Sequence, residues 1–229
     1  MSFYNTYNTF KGYSTPIVAA KHMRRMDAEI WHPGAYSADM SVVELGCGTG
    51  LVLAYLQARG VSDITGVDHD PALADVVPEQ VRTKFRVMGI DDFLNAAAAA
   101  GDTYDRVIAF DVLEHFSPEE GQQLLTRIRT ILKPGGRVHL KVPNAGSPWG
   151  LQFQYGDLTH RTAFTPNSLR QLAISAGCVC LSTYPQQLGS PTRRLFGGLL
   201  HRALNTVVPT PPEIWDGNFY AILERSPPE

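Results

Sequence analysis

Residues 42–50, Val-Val-Glu-Leu-Gly-Cys-Gly-Thr-Gly, constrain this chain more than any other stretch. A short apolar run ends in an acid, passes through alternating glycines and opens into a helical pattern at Leu51, Val52, Leu53 and Leu56. Glycine has no Cβ and reaches positive φ without strain, so such a turn can be tight and a ligand can approach its backbone. A buried strand that feeds a glycine turn and a helix is how α/β proteins build a nucleotide site. The spacing at Gly46, Gly48 and Gly50 is G-x-G-x-G, not the G-x-G-x-x-G of dinucleotide enzymes.

Strands and helices alternate from there on. Residues 63–68, Asp-Ile-Thr-Gly-Val-Asp, read as a second short strand ending in an acid, and an acid so placed can accept hydrogen bonds from both hydroxyls of a ribose. With 41–45 as the first strand, others are expected at 84–88, 104–110, 137–142, 178–184 and 219–224. Helices are expected at 51–59, 71–77, 93–100, 118–132 and 166–176. The best marked opens with Ser117-Pro118-Glu119-Glu120, a capping box with proline in the first position. Ala19, Met23, Met26 and Ile30 predict a leading helix over 16–31, with Pro16 in its first turn and Pro33-Gly34 ending it. Such alternation implies an α/β, Rossmann-like, doubly wound sheet, mostly parallel, with helices on both faces.

Glu44 to Gly50, followed by Gly66-Val67-Asp68, resembles the S-adenosylmethionine (SAM) site of class I methyltransferases. Phe110-Asp111-Val112-Leu113-Glu114-His115 and Lys133-Pro134-Gly135-Gly136 match that family in order, so the resemblance covers about residues 40–185. It implies a seven-stranded sheet with an antiparallel last strand, SAM as cofactor and S-adenosylhomocysteine as product. Gly46, Cys47, Gly48 and Gly50 would line the methionine portion, and Glu44 would hold its ammonium or fix the glycine turn. Asp68 would hold the ribose hydroxyls, with His69 beside the adenine. Asp91 would reach the adenine amine with Ile90 on the ring, although Gly89-Ile90-Asp91-Asp92 departs from the family's glycine–aspartate pair and leaves Asp92 as the alternative. Phe110 and Asp111 would flank the methyl-bearing sulfur. Leading helices cover the cofactor in this family, so Tyr7 and Tyr13 are candidates for closing over it or for surface packing.

Methyl transfer asks mainly for positioning and exclusion of water. A hydroxyl acceptor also needs a base, and histidine suits that task near neutral pH. His160 and His115 are the candidates, and Asp157 is close enough in sequence to orient the His160 imidazole; outside that role both histidines are structural. Asp157-Leu158-Thr159-His160 resembles a D-x-x-H segment of bacterial methyltransferases tied to surface-glycan or small-metabolite biosynthesis. Relatives that methylate amide or nucleobase nitrogen carry an Asn/Asp-Pro-Pro-aromatic run where this chain has Phe110-Asp111-Val112-Leu113. The expected acceptor is therefore a hydroxyl of a small molecule or of a glycan or nucleotide-sugar compound, with Asn144 and Trp149 as acceptor contacts or loop structure. Two competing readings are an NAD-dependent oxidoreductase, which the glycine spacing disfavours, and a catalytically silent SAM-fold module that binds a partner.

A formal charge of −2 over 229 residues gives no basic footprint for nucleic acid. No stretch nears the roughly 20 apolar residues of a membrane span, and the start of the chain lacks a signal peptide's basic and apolar regions. Cys47, Cys178 and Cys180 make neither a disulfide framework nor a metal set. One cytoplasmic domain over 1–229 is expected, without a metal, with residues 1–40 as an N-terminal cap. The departure from the family is an insertion at 186–214 between the last two strands. Its segment 193–206 is apolar with basic punctuation, which suits a lid, a homodimer contact, peripheral contact with a membrane or plain core packing. Gly197 and Gly198 would each weaken it as an isolated helix by about 1 kcal/mol.

Overall fold

The computed structural model describes residue 3 and residues 7–226; the side chains of Tyr7 and Asn8 lie outside the description, and the expectation for Tyr7 with them. The strands are β1 (Ser41–Leu45), β2 (Asp63–Asp68), β3 (Phe85–Val87), β4 (Tyr104–Phe110), β5 (Leu132–Pro143), β6 (Cys178–Pro185) and β7 (Asn218–Arg225). They form one seven-stranded sheet in the order β3-β2-β1-β4-β5-β7-β6, and β7 runs antiparallel to both β5 and β6. The other pairings are parallel. Strand order reverses between β1 and β4, which puts a crevice at the carboxyl ends of those two strands.

The period-2 alternation of strand side chains sorts the core to two faces. Val43, Leu45, Val107, Ala109, Val138 and Leu140 pack on one side beneath α4 (Ile90–Ala100), α5 (Pro118–Thr130) and α7 (Pro166–Ser175). Val42, Ile64 and Ile108 pack on the other beneath α3 (Leu51–Ala58) and the N-terminal segment. The capping box of α5 forms as expected: Ser117 Oγ accepts from the Glu120 amide at 3.2 Å and Glu120 accepts from the Ser117 amide at 2.8 Å. Cys178 and Cys180 are both packing residues on the first of these cores.

Several elements differ from expectation, each for a local reason. The leading helix starts at α2 (Ala20–Met26), not at residue 16, because Ala19 is extended and Ile17 stands exposed with its carbonyl 2.8 Å from His22 Nδ1. It then widens into a π-turn, Asp27–Trp31, which swings Glu29 inward. There Glu29 accepts from the Gln187 amide at 3.0 Å and the Tyr220 hydroxyl at 3.1 Å, while Arg106 donates to the carbonyls of Gly34 and Ala35. These bonds fasten the N-terminal segment across β4, β7 and the end of β6. Residues 71–77 form a 3-10 turn, Pro71–Asp75, and a second turn follows at Glu79–Lys84. β5 begins at Leu132, opposite Tyr104, and absorbs Lys133-Pro134-Gly135-Gly136 as a register shift with Gly135 at φ +73°. Two short helices, α1 (Tyr7–Lys11) and α6 (Leu151–Gln154), arise in stretches without periodicity. The insertion folds as α8 (Pro191–Val207).

Candidate active site

The glycine turn is shaped by backbone. The amides of Gly46 and Cys47 both donate to the Val67 carbonyl, at 2.8 and 3.0 Å, which curls the chain over the end of β2. Gly46 takes φ +71°, and a Cβ there would sit 2.6 Å from Val112 Cγ2, so any side chain at this position would displace the loop after β4. Asp68 braces the turn from below: its carboxylate accepts from the Gly48 amide at 2.9 Å and the Asp70 amide at 3.1 Å. His69 Nδ1 stands 3.5 Å from the same carboxylate.

A cavity of about 870 Å³ opens above this turn. The residues expected at the cofactor line it, except Gly50 and Asp92. Gly50 is the N-cap of α3 and faces Val77 and Pro78. Asp92 is exposed beside Gly89, outside the lining. Gly89 is the N-cap of α4, so Ile90, Asp91 and Asp92 form its first turn, where acids suit the helix dipole. Asp91 is paired with Arg127 at the cavity rim. Burial pushes the Cys47 thiol up, so this residue is packing, not a nucleophile. Tyr13 and Lys11 reach the cavity from the N-terminal segment.

Glu44 is only 4% exposed, and its Oε2 has no hydrogen-bond partner. Burial, reinforced by the negative charge of Asp68, pushes its carboxyl well above the ordinary range. Lys141, on the same sheet face, opposes that shift and pairs with Asp111 at 2.5 Å. Asp111 holds a left-handed φ of +55°, the strained residue at the end of β4.

The histidines lie in a second layer beyond β4. His115 lines the cavity; His160, Glu114 and Asp157 stand behind it. The two imidazoles meet edge to face with centroids 4.7 Å apart. His160 Nδ1 donates to the Gln154 carbonyl at 2.9 Å. Asp157 accepts no direct hydrogen bond from His160, whose Nε2 is 3.9 Å from Asp157 Oδ2. Asp157 instead accepts from the Thr159 hydroxyl at 2.6 Å and the Thr159 amide at 3.0 Å, with Lys11 Nζ 3.0 Å away. Thr159 Oγ1 in turn lies 3.0 Å from His115 Nδ1.

That chain fixes a tautomer. The single Thr159 hydroxyl proton goes to the carboxylate, so its oxygen accepts from His115 Nδ1–H and the basic lone pair of His115 is at Nε2. Burial, then the neighbouring His160, pulls the His115 pKa down to about 4, which keeps the ring neutral. Burial alone would raise Asp157, but Thr159 and Lys11 outweigh it and hold the carboxyl well below its usual range. Glu114 is fully buried, with neither oxygen hydrogen-bonded, and burial raises its pKa well above normal. Among the described residues Glu114, His115 and His160 form a group whose ligand atoms lie within 4.8 Å of one another, a spacing that a cation could bridge.

The sequence alone does not single out Thr159, Glu114 or Lys141, which the structure brings beside the candidate residues. Glu114 sits inside the quoted stretch 110–115, and Lys141 alternates with the apolar residues of β5, so both left a signal. Asn144, an acceptor-contact candidate, is fully buried and donates to the Ile214 and Asp216 carbonyls, so it holds the loop together.

The sequence pattern of a family described as a methyltransferase domain matches residues 22–183. The chain belongs to the class I SAM-dependent methyltransferases. This methyltransferase is 32% identical over 181 residues to a ubiquinone biosynthesis O-methyltransferase of Cereibacter sphaeroides, a match covering 72% of the chain and 68% of that protein. It is 26% identical over 123 residues to the mitochondrial ubiquinone biosynthesis O-methyltransferase of Mus musculus, a match covering 49% of the chain and 31% of the mouse protein. Its fold is similar to that of a SAM dependent methyltransferase from Archaeoglobus fulgidus, with a TM-score of 0.68 at 16% identity over 98% of this chain and 100% of that one. No helix among the described residues is long and apolar enough to cross a membrane.

Proposed function

We propose that this methyltransferase moves the methyl group of SAM to a hydroxyl of a small-molecule or glycan-type acceptor, with His115 as the base. The observation that carries the reading is the chain Asp157–Thr159–His115, which ends at the wall of the cavity above the glycine turn. SAM, when bound, supplies an electrophilic methyl on a sulfonium. The residues present fit such a ligand: Glu44 offers an unpartnered buried oxygen to a cation, and the Asp68 oxygens keep lone pairs for ribose hydroxyls beyond the two amides they already accept. Asp91, with Ile90, would meet the adenine, and Asp111 and Phe110 the sulfur end.

Nε2 of His115 would take the hydroxyl proton as the methyl transfers, and Asp157, acting through Thr159, would stabilise the imidazolium that results. A base held at so low a pKa is better matched to an acidic, phenol-like hydroxyl than to a simple alcohol. The O-methyltransferase names of the relatives support the hydroxyl acceptor. His160 would act from behind, setting the pKa of His115. A second reading is favoured by the grouping of Glu114, His115 and His160: a divalent cation held there would acidify the acceptor hydroxyl itself.

Calorimetric titration with SAM, S-adenosylhomocysteine and NAD tests the cofactor. Micromolar affinity for the two sulfur compounds, about −8 kcal/mol, is expected, weakened by about 1–3 kcal/mol in Asp68→Ala; binding of NAD alone overturns the reading. Turnover is then followed with phenols and sugars, with and without a chelator. Loss in His115→Gln that chelation does not imitate assigns the base, whereas loss on chelation assigns the cation. Cofactor binding with no turnover of any acceptor would favour a silent module.

A further inference from the structure

We propose that α8 is a membrane-docking helix that lays an outward-facing apolar stripe on an anionic lipid surface. The helix is well started, with Pro191 in its first turn and Ser190 accepting from the Arg193 amide, yet none of its residues is buried. Leu195, Phe196, Leu199, Leu200 and Val207 are between 51% and 74% exposed. At helical spacing these five fall on one side.

The opposite side is what holds the helix to the body. Arg194 donates to the Gln187 side chain, Asn205 accepts from Trp215 Nε1 at 2.7 Å, and the His201 ring stacks on Trp215 with centroids 5.5 Å apart. Its few half-buried residues, Gly197, His201 and Leu204, lie on that same side. The usual arrangement, apolar side in and polar side out, is thus reversed. A soluble protein has no use for such an arrangement unless something else covers the stripe.

Charge selects what covers it. The helix carries Arg193, Arg194, His201 and Arg202 and no acid. Arg193 and Arg202 fall at the two borders of the stripe, where long side chains can reach the plane of a flat partner while their stems stay on apolar surface. Self-association through this face would bring arginines together with no carboxylate of the helix to answer them. A surface of anionic headgroups over acyl chains answers both the arginines and the stripe.

A second apolar stretch flanks the same anchor. Trp149, Leu151, Phe153, Tyr155 and Leu158 are exposed, and their segment packs on the turn that bears Trp215: Ser147 donates to the Trp215 carbonyl, and the Phe153 ring lies so close to Gly217 that a Cβ there would meet it at 2.5 Å. The 214–217 turn therefore carries exposed apolar side chains on both flanks.

The test is co-sedimentation of the full chain with vesicles of phosphatidylcholine alone and of phosphatidylcholine with phosphatidylglycerol in equal parts, at low and high salt. The protein should pellet with the anionic vesicles and stay in solution with the neutral ones. Phe196→Glu with Leu199→Glu, and separately Arg193→Glu with Arg202→Glu, should each lower the partition by about tenfold or more; circular dichroism melts check that these exposed substitutions leave the fold intact. Slowed amide exchange across α8 in the unaltered protein on adding anionic vesicles reads the same contact without any substitution. No pelleting with anionic vesicles, equal pelleting of the variants, or a dimer that the Phe196→Glu/Leu199→Glu pair dissolves in the absence of vesicle binding would each overturn the proposal. None of these readouts needs SAM or an acceptor, so they stand apart from the assay of methyl transfer.

Discussion

Nδ1 of His115 stands 3.0 Å from the hydroxyl of Thr159, whose own proton is committed to Asp157 at 2.6 Å. A hydroxyl placed between imidazole and carboxylate passes the orienting influence of the acid to the base without direct contact. Thr159→Val keeps the shape and removes the relay. It should lower kcat by roughly tenfold to a hundredfold, part of what a positioned base contributes, and leave SAM affinity nearly unchanged. Thr159→Ser should keep most of the activity. Steady-state rates with a saturating acceptor check this, and equal loss in Val and Ser variants would count against the relay.

The pKa of His115 sets a pH limb. With burial and then His160 holding it at about 4, the base stays unprotonated well below the ordinary histidine range. Activity per unit KM should therefore hold steady from neutrality down toward pH 4 rather than fall near 6.5. Removing the second ring in His160→Ala takes away the neighbour that depresses the His115 pKa and admits water, both of which move the limb upward. Initial-rate pH profiles, or ring-carbon NMR titrations, read the limb directly; an inflection near 6.5 in the unaltered protein would remove His115 from its role.

Glu44 makes cofactor binding a proton-linked event. Burial and Asp68 raise its pKa in the free protein, so a proton there is held more readily than on an ordinary glutamate. A ligand cation beside Oε2 restores the ionised form and expels that proton. Affinity for SAM should thus rise as pH rises through the raised pKa of Glu44. Calorimetry in two buffers of different ionisation enthalpy measures the protons released. Glu44→Gln should abolish the release and weaken binding, while raising the melting temperature of the free protein by removing a buried, unpartnered acid. Buffer-independent heats would argue against Glu44 as the cation's partner.

What could be read in the sequence, and what could not, divides by the range of the interaction. β1, β2 and β4 fall where their short apolar runs end in polar residues, and the glycine turn follows from three residues within five positions. The place of Asp68 at the end of β2 is legible because the short run of that strand stops there. Thr159 is not, because it meets His115 across 44 positions through the fold of the loop after β5, and no local pattern encodes that meeting. The π-turn at Asp27–Trp31 escaped for the same reason: Glu29 is drawn inward by Tyr220 and the Gln187 amide, far along the chain. α8 was legible as an amphipathic basic segment, but which of its sides faces the body depends on Trp215 and Gln187.

His139 supplies a prediction about stability. It is fully buried in β5, with Nε2 2.6 Å from the Tyr184 hydroxyl and Nδ1 3.2 Å from that of Tyr36. Tyr184 gives its proton to the Glu29 carbonyl at 2.8 Å, so it accepts from Nε2–H, and Nδ1 accepts from Tyr36. The neutral ring is thus satisfied at both nitrogens, and burial, then Arg106, pushes its pKa down to about 3. In the unfolded chain it titrates near the ordinary value of about 6.5. Between those values the unfolded state binds the extra proton, so stability falls as pH falls from about 6.5 toward 3, at up to about 1.4 kcal/mol per pH unit for this group. His115, lowered to about 4, adds in the same direction over the upper part of that window. The raised carboxyls of Glu44 and Glu114 titrate with the opposite sign but are common to both proteins, so urea unfolding at pH 7 and pH 5 should show the change in stability of His139→Gln to be more favourable than that of the unaltered protein by about 2 kcal/mol, even though the variant is less stable at pH 7. If the variant loses as much between the two pH values as the unaltered protein, His139 is not the group that titrates.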